Sequence, residues 1–78
     1  MEITVKYFAS LREALGRDEE LVRVESPAVV ADVWQQLLVQ HKRMPESILC
    51  AVNHRYALMD TALADGDELA FFPPVTGG

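Results

Sequence analysis

Polar and apolar residues alternate from the start of the chain. Glu2-Ile3-Thr4-Val5-Lys6-Tyr7 has the period of two of a half-buried strand, with Ile3, Val5 and Tyr7 turned inward. Phe8 breaks the alternation and is expected on the face opposite Tyr7, toward solvent or a partner. Ser10-Leu11-Arg12-Glu13 has the form of a capping box, with Ser10 accepting from the Glu13 backbone N–H. Gly16 offers a left-handed stop, so a short helix of one to two turns is predicted. Leu21 to Glu25 reads as a second strand with Val22 and Val24 inward, preceded by a polar run, Arg17 to Glu20, in a solvated loop or strand start.

Ser26-Pro27 marks a boundary, and the period then changes. Val30, Val33, Trp34, Leu37, Leu38 and His41 fall at helical spacing, while Asp32, Gln35, Gln36 and Gln40 take the wet side. The helix is predicted from Val29 or Val30 to about His41, and Pro45 stops any continuation. Ile48 to Val52 is an unbroken apolar run, consistent with a strand buried on both faces. Asn53-His54 is turn-like, Tyr56-Ala57-Leu58 suits a short strand, and Asp60 is placed to cap one turn through Thr61, Ala62 and Leu63. Asp65-Gly66-Asp67 is a strong turn signal. Glu68 to Phe72 is the last strand, Leu69 and Phe71 on one face, Ala70 and Phe72 on the other.

The order is therefore strand, short helix, strand, long helix, two strands, a turn and a final strand. It describes an α+β β-grasp, the ubiquitin-like arrangement: a mixed sheet of about five strands with the long helix packed on one face. The first strand is expected beside the last in the middle of the sheet. Residues 1–72 form the domain, and 73–78 are expected to be an extended tail leaving from a central strand.

Length and composition agree with this. Seventy-eight residues make one domain near the lower size limit, and half of them are apolar. One cysteine excludes an internal disulfide, and no Cys/His spacing suits zinc, which fits a reducing cytoplasm. No leader and no apolar run of about 18 residues is seen, so neither secretion nor a membrane is expected. Seven Lys and Arg stand against twelve Asp and Glu, a net charge of −5. That balance argues against nucleic acid, which needs a concentrated basic face, and suits a basic protein partner.

On-board catalysis finds little support. Cys50 lies in the apolar run, where a thiol behaves as an inert hydrophobe. His41 closes a helix face as a half-buried core residue or a dipole partner, and His54 sits in an exposed turn. Asp65, Asp67 and Glu68 could attract a cation but lack a calcium-loop pattern, so no metal site is assigned. The four glycines are too scattered for a phosphate loop.

The ending is different. After Phe71-Phe72, a stiff Pro73-Pro74 step leads to Val75-Thr76-Gly77-Gly78. Six residues from Pro73 can span roughly 20 Å, and the glycines lack the Cβ that would block a narrow tunnel. The terminal carboxylate of Gly78 is expected to be ionised at neutral pH, since an α-carboxyl titrates near about 3.3–3.7. Such a group reacts only after activation, for example as a mixed anhydride with AMP. Attack of sulfide on the adenylate would leave a thiocarboxylate, an anionic sulfur nucleophile.

Residues Ala51-Val52-Asn53, Asp60, Leu63, Asp65-Gly66-Asp67-Glu68 and Phe71 to Gly78 closely resemble the small-subunit family of molybdopterin synthase. So does the opening Tyr7-Phe8-Ala9-Ser10-Leu11-Arg12-Glu13. The resemblance spans essentially the whole chain. It is sharp in the last third and loose in the long helix, where Pro27-Ala28-Val29-Val30 lacks the family's common Thr cap.

The resemblance implies a β-grasp sulfur carrier of molybdenum cofactor biosynthesis, a sulfur-donating subunit with no active site of its own. A ubiquitin-E1-like adenylating enzyme would use ATP to form glycyl-AMP at Gly78, and a sulfur-donating enzyme would supply the sulfur of the thiocarboxylate. The loaded tail, with Gly77, Thr76 and Val75 filling the channel, would enter the large synthase subunit, and its sulfur would attack cyclic pyranopterin monophosphate. Two such transfers would build a dithiolene, within a heterotetramer of two small and two large subunits. Phe8, Tyr56 and Phe72 are the implied docking residues, with core packing the plainer role for Phe8 and Phe72. A sulfur carrier for thiamine or tRNA thiolation shares the fold and the Gly-Gly ending, but neither characteristically has Phe-Phe-Pro-Pro-Val-Thr before it. A ubiquitin-like protein modifier uses the same activation chemistry, and a β-grasp binding module with an idle tail is a weaker alternative.

Overall fold

The first and last strands of this chain lie side by side and run in the same direction. The computed structural model, which describes residues 1–42, 44–45 and 47–74, has β1 (Glu2–Tyr7), α1 (Ala9–Leu15), β2 (Glu19–Arg23), α2 (Val30–Gln40), β3 (Leu49–Val52), β4 (Arg55–Ala57) and β5 (Glu68–Phe72). The strands form one mixed sheet in the order β2-β1-β5-β3-β4. β1 and β5 pair in parallel, Val5 opposite Leu69 and Tyr7 opposite Phe71. The other pairings are antiparallel. This is the ubiquitin-like β-grasp, with the last strand in the middle of the sheet.

Alternation decides which face is dry. Ile3, Val5 and Tyr7 of β1, Val22 of β2, Cys50 of β3, and Leu69 and Phe71 of β5 are all buried, beneath Val30, Val33, Trp34 and Leu37 of α2. The rings of Trp34 and Phe71 pack with centroids 5.0 Å apart. Burying a side chain of this size contributes about 1.5–3 kcal/mol, which makes this one face the main source of stability.

α2 starts without a side-chain acceptor at its cap, because Val29 has none. The Asp32 carboxylate compensates by accepting from the Val29 backbone N–H at 2.8 Å, and its charge suits the positive end of the helix dipole. At the other end the His41 N–H donates to Leu37 O, 2.8 Å.

Several local expectations are corrected. Ser10 is not a cap but the second residue of α1; the N-cap is Phe8, extended and without a side-chain bond. The reason is tertiary: the Phe8 N–H donates to Phe71 O at 3.3 Å, which ends β1 there, and Ala9 at φ +53° turns the chain into the helix. Gly16 does close the helix at φ +70°, its N–H donating to Arg12 O. β2 covers Glu19–Arg23 rather than residues 21–25, and β4 begins at Arg55.

β3 is not buried on both faces. Cys50 is buried, but Leu49 is 39% exposed, because α2 covers one side of the sheet only. Asp60 caps no helical turn; Thr61 Oγ1 accepts from the Leu58 N–H at 3.0 Å instead. The backbone beyond Thr61 serves the lead-in to α2, through the Val29–Ala62 bridge and the bond from Leu63 N–H to Ala28 O.

Both turns read from composition are present. Asn53 and His54 have φ of +50° and +69°, the conformation of a two-residue hairpin turn. In the 65–67 turn, Gly66 has φ +87° and its N–H donates to Glu2 O, while Asp65 Oδ1 accepts from the Glu2 N–H. Asp67 accepts from the Ala64 N–H and from Asn53 Nδ2, so the two turns are tied together. Those bonds hold the Asp67 carboxyl below its ordinary value.

Candidate partner-docking face

The sheet face opposite α2 holds a shallow apolar depression. The β3–β5 register sets Ala51 opposite Ala70, and the β3–β4 register sets Tyr56 opposite Ala51. Two alanines side by side make a low floor, and larger side chains rise around it. Phe8, His54, Tyr56 and Phe72 complete the lining of a depression of about 310 Å³. The Tyr56 and Phe72 rings meet edge to face at 5.8 Å, an arrangement favoured by aromatic quadrupoles. Tyr56 is 82% exposed and Phe8 47% exposed.

Each residue arrives from a different element. Phe8 comes from the β1–α1 junction, where it points away from Tyr7 as the break in alternation predicts. His54 comes from the hairpin turn, where positive φ lifts it onto the rim. Its Nε2 lies 3.2 Å from Glu68 Oε2, and Lys6 Nζ lies 3.2 Å from Glu68 Oε1. Glu68 thus joins two basic groups along one edge of the apolar surface.

The structure brings Phe8, Tyr56 and Phe72 together on one surface and keeps Phe71 in the core. The expectations placed on Val75, Thr76, Gly77 and Gly78 lie outside the described residues. Sequence reasoning missed Ala51 and Ala70 as the floor and His54 as part of the rim. The period of two already set Ala70 with Phe72, and it offered the signal for the floor.

The interior polar groups described are held in structural contacts. Cys50 donates its S–H to Ala57 O at 3.3 Å, and burial pushes its thiol up, away from the nucleophilic thiolate. The closest-knit polar cluster is half-buried: the Tyr7 hydroxyl donates to Glu20 Oε2 at 2.6 Å, and His41 Nε2 lies 3.0 Å from the same oxygen. Burial first, then the Glu20 hydrogen bond and charge, push the Tyr7 phenol well above its ordinary value, against a smaller opposing effect of Arg17. A phenol so held is a structural donor. Among the described residues no three His, Cys, Asp or Glu side chains gather as a metal site, and no helix is long and apolar enough to cross a membrane.

A family model described as the ThiS family matches residues 5–78. The chain belongs to the ThiS family. It is 42% identical to the molybdopterin synthase sulfur carrier subunit of Escherichia coli K12, over 97% of this chain and 99% of that protein. The protein of the same name from Mycobacterium tuberculosis is 35% identical over 100% of this chain and 99% of its own length. Among solved structures, the crystal structure of SAMP1 from Haloferax volcanii superposes with a TM-score of 0.85 at 32% identity, covering 100% of both chains. In this ThiS-family chain the sheet delivers β5 next to an apolar face, and the carrier subunits it matches align with it end to end.

Proposed function

We propose that this chain is a sulfur carrier of molybdenum cofactor biosynthesis, the small subunit of a molybdopterin synthase. The observation that carries the reading is the course of β5. One strand supplies Phe72 to the aromatic depression and leads directly into Pro73 to Gly78. Docking and delivery are thereby coupled in a single rigid element. The end-to-end likeness to sulfur carrier subunits supports sulfur as the cargo.

The chemistry belongs to Gly78. Its carboxylate oxygen attacks the α-phosphorus of ATP in an E1-like enzyme, pyrophosphate leaves, and glycyl-AMP forms. Sulfide supplied by a donor enzyme attacks the acyl carbon, AMP leaves, and the thiocarboxylate remains. Inside the large subunit that sulfur attacks a carbon of the cyclic pyranopterin monophosphate, an oxygen leaves that carbon, and a thioester joins carrier and pterin. Water then cleaves the acyl carbon–sulfur bond, leaving the sulfur on the pterin and restoring the carboxylate. Thr76, Gly77 and Val75 occupy the channel, and Phe8, Tyr56 and Phe72 hold the large subunit. The setting is the cytoplasm, where thiols and sulfide equivalents stay reduced.

The test is intact mass after incubation with the activating enzyme, ATP and a sulfur donor. The expected product carries sulfur in place of one oxygen at Gly78. An unchanged mass overturns the reading. Deleting Gly78 is expected to abolish transfer while leaving the fold intact, and retained transfer would show that another group does the work.

A second reading has its own support. The likeness to SAMP1, a small archaeal modifier protein, favours conjugation of Gly78 to partner lysines. Isopeptide-linked ladders in lysate, lost on deletion of Gly78, distinguish it from a carrier alone.

A further inference from the structure

Among the described residues the sheet has two edges, and they differ. β4 is three residues long, whereas β2 runs for five in an unbroken antiparallel register with β1. A regular edge strand presents a row of backbone groups that a further strand can pair with. The ladder sets which groups face out. The Met1 ammonium donates to Val24 O at 2.7 Å, the Val24 N–H donates to Met1 O at 3.0 Å, and the Tyr7 N–H donates to Asp18 O at 2.8 Å. The antiparallel pattern repeats every two residues, so Glu20 and Val22 also turn their N–H and C=O groups toward β1. Those of Glu19, Leu21 and Arg23 point away from the sheet.

The side chains of the same three residues lie on the face that α2 leaves open. All three are exposed, Leu21 to 60%. The strand reads acid, leucine, base at these positions, with Leu21 in the middle. A two-fold axis beside Leu21 sets that leucine against its own copy, and Glu19 of each chain against Arg23 of the other. An isologous contact must be self-complementary in this way. A shift of two residues sets Leu21 against a charge and leaves one end of the strand unmatched. The neighbours on β1 extend the match. Arg23 Nη2 lies 3.1 Å from Glu2 Oε2, and Lys6 stands opposite Glu19. Across the join each outer row then reads Glu2, Arg23, Glu19, Lys6, alternating in charge over four strands. Glu20 faces the inner side, where Tyr7 and His41 hold it.

We propose that the outer edge of β2 is a self-association surface, and that its occupant is β2 of a second copy, antiparallel and centred on Leu21. Two five-stranded sheets become one. β1 separates this edge from β5, so the aromatic depression of both copies stays open. One short strand pair buries little area, so the dimer is weak and reversible. It does not depend on what Gly78 carries.

Sedimentation equilibrium of the full chain from about 10 μM to about 1 mM tests the surface. The mass is expected to rise from one chain toward two. Leu21→Lys, which sets two lysines against each other at the axis, should keep it at one. Glu19→Arg and Arg23→Glu each set like charges opposite at both ends, and each alone should weaken association by at least about tenfold. An equimolar mixture of these two variants should associate again, because each meets its opposite charge in the other. Amide exchange gives the register: Glu19, Leu21 and Arg23 should slow as concentration rises, while Glu20 and Val22 are slow throughout. Melting temperatures report that every variant folds. A mixture that associates no better than its components overturns the pairing. So does a dimer that persists in Leu21→Lys and is lost in Tyr56→Ala, which would sit on the aromatic face. A chain that stays single at every concentration leaves the edge to a strand of another protein and overturns the second copy.

Discussion

The ring of Tyr56 meets the ring of Phe72 edge to face, 5.8 Å between centroids, although the two lie on β4 and β5 with β3 between them. Ala51 on β3 is small enough to let them touch across it. Tyr56 has little else around it, so its value lies in what it presents. Tyr56→Ala is expected to change stability by no more than about 0.5 kcal/mol. The same variant should weaken binding of the large subunit by about 2 kcal/mol, or roughly 30-fold. Urea denaturation and calorimetry measure the two effects separately.

The Tyr7–Glu20 hydrogen bond ties β1 to β2 on the inner face, and His41 joins it from the end of α2. Tyr7→Phe removes the phenol donor and is expected to cost about 1 kcal/mol at neutral pH. The raised folded-state phenol also sets a pH dependence. Below 10.0, its ordinary value, both states keep the proton and the contribution is complete. As pH rises above that value the unfolded chain releases its proton first, so stability falls. Denaturation at a series of alkaline pH values should show this decline, flattened in Tyr7→Phe. An unaltered slope would mean that Tyr7 is not its source.

Asp67 acts at the opposite end of the scale. Its folded-state carboxyl is depressed below 3.8 by the Ala64 N–H and by Asn53. The stabilisation is complete above that value and is lost as pH falls through the folded-state one, because the unfolded chain takes up the proton first. Asp67→Asn is expected to reduce the acid sensitivity of unfolding. It should also loosen the join between the 53–54 and 65–67 turns, read as faster amide exchange at Asn53 and Ala64.

Much of the fold was legible because alternation and helical spacing report the core directly. Ile3, Val5, Tyr7, Leu69 and Phe71 declared one face by period two, and Val30, Val33, Trp34 and Leu37 declared the helix that covers it. The turns at 53–54 and 65–67 were legible because positive φ selects Asn and Gly. The cap at Ser10 and the turn at Asp60 misled because several local patterns could satisfy the same backbone groups. Phe71 O and the Val29–Ala62 bridge, both distant in sequence, decided which one did. Glu20 was read as solvated, yet period two from Val22 sets it on the inner face, where Tyr7 and His41 receive it.

The sequence by itself determined the order of elements and the buried face, since each depends on residue type and short-range spacing. Only the tertiary structure decided that Ala51 and Ala70 make a floor between Tyr56, Phe72 and Phe8, and that Pro73 and α1 border one groove. Those relationships depend on strand order and register across the sheet. They are set by pairings between segments up to the full length of the domain apart, such as β1 with β5, which no local pattern encodes.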